Sequence, residues 1–148
     1  MSAEEPRLMV GGSVTDDRGT LAFVNDFDPS GCRRCYVVTN HHAGYVRAWH
    51  GHRKEGKYVS VLRGAAIVAA VRVLDWDHPD KNAKLYRYVL SERSPSVLFV
   101  PPGYANGAMS LTGDTMIHYF STSTLAESKG DDIRIDARFW NPWQVEER

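Results

Sequence analysis

Apolar positions along the chain fall in short runs of β-branched and aromatic residues that alternate with polar ones, and no stretch of ten or more residues carries a helical stripe. The runs cover 20–24, 34–39, 45–49, 57–62, 66–74, 84–90, 96–100, 108–111 and 115–121, and each is predicted to be a strand. Turn-forming residues stand between them: Asp17-Arg18-Gly19, Asp28-Pro29-Ser30-Gly31, Arg63-Gly64, Asp77-His78-Pro79-Asp80, Pro101-Pro102-Gly103 and Thr112-Gly113-Asp114. The Ala-rich segment 65–73 is the one place where a helix competes with a strand. About nine short strands in a small chain imply a sandwich or barrel, and a jelly roll closes such a set while leaving a mouth for a ligand.

Length and charge narrow the partners. The 148 residues read as one domain, 1–148, without repeat, linker or low-complexity segment, and 18 Lys and Arg balance 18 Asp and Glu. Zero net charge argues against nucleic acid or an anionic membrane as partner. No apolar run approaches the roughly 20 residues of a membrane helix, and the start of the chain lacks the basic-then-apolar pattern of a signal peptide, so a cytoplasmic location is expected. Cys32 and Cys35 lead into a strand-like run with no second ligand pair, and read as two reduced, ordinary thiols rather than half a zinc site or a redox dithiol. The segment 133–148 carries Phe139, Trp140 and Trp143, aromatics that need a surface to cover, on the barrel or on a dimer partner.

Four of the six histidines, His41, His42, His50 and His52, lie close together. Strand alternation puts His50 and His52 on one face, pointing together into a barrel mouth. The spacing Gly44-x5-His50-x-His52-x4-Lys57-x6-Gly64 resembles the first metal-binding motif of the cupins, and Pro101-x-Gly103-x2-Asn106 resembles the second. In metal-binding cupins a glutamate stands where this chain has Lys57 and a histidine where it has Asn106. An ammonium only donates, and a carboxamide is a poor substitute for imidazole, so a cupin cavity without a metal or other cofactor is expected.

The motifs in order along the chain resemble the nucleotide-sugar epimerases typified by the dTDP-4-dehydrorhamnose 3,5-epimerases. Asp17-Arg18-Gly19-Thr20-Leu21 resembles their Asp-x-Arg-Gly-aromatic element, Arg47-x-x-His50 their Arg-Gly-Leu-His, and Gly56-Lys57-Tyr58-Val59 through Gly64 their Gly-Lys-Leu-Val-x-Val-x-x-Gly. Pro101-Pro102-Gly103-Tyr104-Ala105-Asn106-Gly107 resembles Pro-x-Gly-Phe-Ala-His-Gly. Tyr119 falls at the family's Tyr, and Asp132-Ile133-Arg134-Ile135-Asp136 resembles its Gly-Ile-Arg-x-Asp ending.

The resemblance implies an all-β cupin jelly roll, an isomerase and a homodimer, acting on a nucleotide-diphosphate sugar. Inversion beside a 4-keto group needs a base, an acid on the opposite face and a group to hold the enolate oxyanion. By resemblance these are His50, Tyr119 and Lys57. Asp136 is the candidate carboxylate to orient His50, with Asp132 as its rival. Arg18 and Arg47 suit the diphosphate and sugar, the family's arginine at Arg18 reaching across the dimer, and His52 and Asn106 complete the substrate site. Two other readings remain open. His50-Gly51-His52-Arg53-Lys54 and Arg34-Cys35-Tyr36 also resemble segments of the dTDP-sugar 3,4-ketoisomerases, and a non-catalytic sugar-binding cupin would keep the cavity without turnover.

Overall fold

The computed structural model describes residues 4–148, and the first three residues of the chain, part of the start read for a leader, lie outside the described residues. Its elements are β1 (Arg7–Val10), β2 (Gly12–Asp16), β3 (Gly19–Phe23), β4 (Arg34–Thr39), β5 (Val46–His52), β6 (Lys57–Arg63), β7 (Ala65–Arg72), β8 (Leu85–Ser91), β9 (Ser96–Val100), β10 (Tyr104–Ser110), β11 (Met116–Ser121), α1 (Leu125–Lys129) and β12 (Ile133–Arg134). Each predicted run overlaps a strand. One antiparallel sheet has the order β1-β9-β6-β11-β4 and the other β12-β5-β10-β7-β8, while β2 and β3 form a separate hairpin. This is the expected all-β, cupin-like jelly roll. No helix among the described residues is long and apolar enough to cross a membrane.

The segment 65–73 is a strand, and its unbroken apolar run has a physical cause. Ala66, Val68 and Ala70 point into the core between the sheets with Val59, Leu98 and Ile117. The alternate residues Ile67, Ala69 and Val71 are equally buried on the other face, beneath Trp49, Trp140 and Trp143. A strand covered on both sides loses polar alternation and then looks like a short buried helix in sequence.

The cover on that outer face comes from the chain's own end. The Trp49 indole meets Trp140 edge-on at 5.3 Å and Trp143 at 5.2 Å, and its Nε1 donates to the Trp140 carbonyl. Trp140 Nε1 donates to the Asp80 carbonyl and Trp143 Nε1 to that of Ala137. Each buried indole thus finds a partner for its N–H, the condition for burying tryptophan without loss. Four elements carried too weak a pattern to be read: β1, β2, the two-residue β12 and α1, which is held by a capping box between Thr124 and Glu127.

Candidate active site

A cavity of about 310 Å³ opens between the two sheets. On β4 the alternation of inward and outward residues sends Arg34, Tyr36 and Val38 into it. Lys57 comes from β6, Tyr119 from β11, Asn106 from β10, and Ser128 and Lys129 from α1. From β5 come Arg47, His50 and His52, although three steps separate Arg47 from His50 and a regular strand would turn them to opposite faces. The pairing of β5 with β10 explains it: Asn106 sits opposite His50 but Ala108 opposite Arg47, so β5 carries one extra residue between them. That β-bulge restores the phase and re-aims Arg47 into the cavity.

Between the histidines, Gly51 faces the outer surface under the Trp76 ring. A Cβ there would lie 2.2 Å from that ring, so the His-Gly-His spacing depends on a residue with no side chain. Asn106 donates from Nδ2 to the His50 carbonyl at 3.3 Å. Its carboxamide therefore ties two strands together at the position where metal-binding cupins carry a ligand. With the donor-only Lys57 ammonium at the other ligand position, the side chains present do not suit a cupin metal.

Charge in the cavity is strongly biased. Among the described residues five cationic side chains line it, Arg34, Arg47, Lys57, Lys129 and Arg134, against the one carboxylate of Asp132. Burial pushes the Lys57 ammonium below its ordinary value, with the Glu55 carboxylate opposing. Its Nζ stands 5.7 Å from the Tyr119 ring centre and 5.8 Å from that of Tyr36, and those two rings stack at 5.1 Å. Burial drives the Tyr119 phenol far above its usual range and Tyr36 up to about 12. Both phenols therefore keep their protons. Burial, reinforced by the charges of Arg134 and Lys57, holds His50 down at about 4, with Asp132 pulling the other way. At neutral pH the ring is a free base.

Six of the residues expected from sequence, His50, His52, Lys57, Tyr119, Arg47 and Asn106, meet in this cavity. Two do not. Asp136 is exposed: the chain stays paired with β5 through Ile135, which exchanges backbone hydrogen bonds with Trp49, and Asp136 then accepts the Arg138 backbone N–H in the turn that follows, so its carboxylate lies outside the cavity that holds His50. Its rival Asp132 lines the cavity, but its carboxylate is engaged by Arg134 Nε at 2.9 Å and acts on His50 only through its field. Arg18 stands at the tip of the β2–β3 hairpin with its side chain 87% exposed, paired with Asp16 and outside the cavity of its own chain.

Sequence reasoning missed the most deeply placed charge. Glu55, between β5 and β6, is 2% exposed, and its carboxylate meets His52, Arg34, Ser121 and Ser128. Asp131 fixes the turn that carries it by accepting the backbone N–H groups of Arg53, Lys54 and Glu55. In sequence, Glu55 is one member of an Arg-Lys-Glu-Gly run that reads as a solvated turn. The glutamate three places after His52 is the signal that could have found it.

A histidine pair, an ammonium and two protonated phenols line one cation-rich cavity on a jelly roll, a set of groups chemically able to accept and donate protons, as an isomerase needs. The sequence profile of a family described as dTDP-4-dehydrorhamnose 3,5-epimerase matches residues 13–146. The chain belongs to that family, a family of isomerases. Solved structures share the fold. The dTDP-4-dehydrorhamnose 3,5-epimerase of Bacillus anthracis, with TDP and pyrophosphate bound, is 21% identical with a TM-score of 0.76, over 96% of this chain and 86% of the other. The epimerase of Sulfolobus tokodaii is 24% identical with a TM-score of 0.77, over 95% and 82%. A 3'-monoepimerase of Streptomyces bikiniensis in complex with dTDP-quinovose is 17% identical with a TM-score of 0.76, over 97% and 77%. None of the curated proteins matches the chain.

Proposed function

We propose that this protein inverts C3, C5 or both in a dTDP-linked 4-keto-6-deoxy sugar, in deoxysugar biosynthesis, through an enolate. The observation that carries this reading is the placement of His50 on one sheet and Tyr119 on the other, on opposing walls of a single cavity. Inversion removes a proton from one face of a carbon and returns one to the other, so base and acid must flank the sugar. His50, neutral, takes the C–H proton. The electron pair moves toward the C4 oxygen, where the Lys57 ammonium receives the developing charge, and the Tyr119 phenol returns a proton from the far wall. Arg47 and the other cations at the mouth suit the diphosphate.

The protein acts as a homodimer in this reading. Among the described residues the β2–β3 hairpin pairs with no other strand, and its Val14 and Leu21 stand 60% and 67% exposed on either side of the Arg18 tip. A two-stranded ribbon is marginal by itself in water. Docked on a second copy, it would cover those residues and carry Arg18 toward the neighbour's cavity.

Incubation with dTDP-4-keto-6-deoxyglucose in deuterium oxide, followed by proton NMR, tests the chemistry. Loss of the C3 or C5 proton signal together with formation of the epimer is expected. His50→Ala should slow exchange at the carbon it serves by about 10²–10⁴-fold, and Tyr119→Phe should form epimer more slowly than it exchanges. A carbonyl moved to C3, or binding without exchange, would overturn the assignment.

A further inference from the structure

His52 is held in a way that His50 is not. Its Nδ1 lies 2.7 Å from the Asp131 carbonyl oxygen and 3.0 Å from Glu55 Oε2. Both neighbours are acceptors, so Nδ1 carries the ring proton. In the neutral ring that leaves Nε2 with a lone pair, and among the described residues Nε2 is buried without a partner, on a residue that is 3% exposed and lines the cavity. A buried polar atom left unpaired costs about 1–3 kcal/mol. A substrate proton donor would relieve it.

The other side of the pair is fixed. Burial alone would raise the Glu55 carboxyl, yet hydrogen bonds from His52 and Ser121 and the charge of Lys57 hold it at about 2, so it is a carboxylate at any working pH. Ser128 and Arg34 donate to it as well, at 3.1 and 3.2 Å. An anion so enclosed cannot swing away from the imidazole. It fixes the ring's orientation and tautomer and stabilises the imidazolium that forms when Nε2 accepts a proton. The carboxylate-backed histidine sought from sequence at His50 is thus found two residues further along β5.

We propose that His52 is a second catalytic base of this cavity, with Glu55 as its positioning residue, and that His50 and His52 each serve one of the two carbons flanking the ketone. This rests on the reading of the cavity as a 4-ketosugar site. The two histidines share one face of β5, roughly 6.6 Å apart along the strand. At the carbon facing His52 the C–H bond breaks and its proton goes to Nε2. The electron pair forms the enolate double bond while the carbonyl π pair moves to the C4 oxygen beside Lys57. Reprotonation by the Tyr119 phenol on the opposite wall reverses the electron flow, and solvent then restores the phenol and removes the proton from His52.

Site-resolved deuterium exchange on the same 4-keto sugar nucleotide separates this from a single-base site. The wild type exchanges both carbons. His50→Gln loses exchange about 10²–10⁴-fold at one of them and retains the other, His52→Gln does the reverse, and Glu55→Gln slows only the His52 carbon, through kcat with KM little changed. Wild-type exchange at one carbon only, or His52→Gln exchanging both at the wild-type rate, overturns the proposal. A second readout needs no substrate. Nitrogen-15 NMR of the free wild-type protein should show His52 protonated on Nδ1 with Nε2 bare, and protonation on Nε2 overturns the pair. Should the sugar stand untouched while that tautomer is found, it is the substrate reading that fails and the oriented base that stands.

Discussion

In the proposed reaction His50 is the base, and its neighbours are what keep it neutral. A histidine in water is half protonated near pH 6.5, whereas burial and the Arg134 and Lys57 charges bring this one to about 4. The working form is the neutral ring, so kcat/KM should stay level as pH falls through 6 and decline about tenfold per unit only below about 4. Arg134→Ala should move that acid limb upward, because it removes a repelling charge and also frees Asp132, whose field favours the imidazolium. A pH-rate profile whose acid limb stands near 6.5 in both proteins would refute the assignment. At this scale the sequence was legible where spacing or a motif marks the residue: strand alternation puts His50 and His52 on one face, and Lys57 is marked by the Gly-Lys motif it resembles, with Tyr58 turned to the other face. It was not legible where two residues meet only through the fold. The Glu55–His52 contact needs the turn that Asp131 holds from 76 residues away, and the exposure of Asp136 goes with the turn that begins only after Ile135 has paired with Trp49.

Strands carried most of the readable signal, and where reading failed the cause was a neighbouring element. The β7 run looked helical because the C-terminal tryptophans cover its outer face, a contact with no local trace. The phase of β5 could not be counted from spacing, since the bulge between Arg47 and His50 is defined only by its pairing with β10. That strand also contains a testable point of tension. Gly51→Ala would drive a Cβ to 2.2 Å from the Trp76 ring, which must shift or push β5 inward and splay the histidines. Overpacking of this kind costs about 1–3 kcal/mol, to be read as a lower midpoint in urea unfolding. Trp76→Ala in the same chain should return much of that loss, as double-mutant coupling between touching residues requires. Equal loss in the single and double variants would show that the glycine serves the backbone and not the close approach.

The whole chain is electrically neutral, yet its cavity gathers five cations against one carboxylate. Neutrality therefore limits large anionic surfaces as partners and leaves room for one small dianion. Arg18 lies outside that set in its own chain, at the tip of a hairpin whose apolar sides face water. Its pair with Asp16 is exposed and contributes little to stability, so Arg18→Ala should leave the unfolding midpoint unchanged. If the hairpin docks on a second copy, the same variant should still lower kcat/KM, since the arginine then serves the other chain's substrate. Leu21→Asp puts a charge into the contact. It should convert the dimer to monomers in analytical ultracentrifugation and lower kcat/KM at least as far as Arg18→Ala does. The decisive comparison is the double variant. Once the hairpin is undocked, Arg18 has no distant substrate to meet, so Arg18→Ala added to Leu21→Asp should cause no further loss, and the two effects should be strongly non-additive. Additive losses would place Arg18 outside any site shared between chains, and an unchanged sedimentation coefficient for Leu21→Asp would remove the hairpin from the dimer contact.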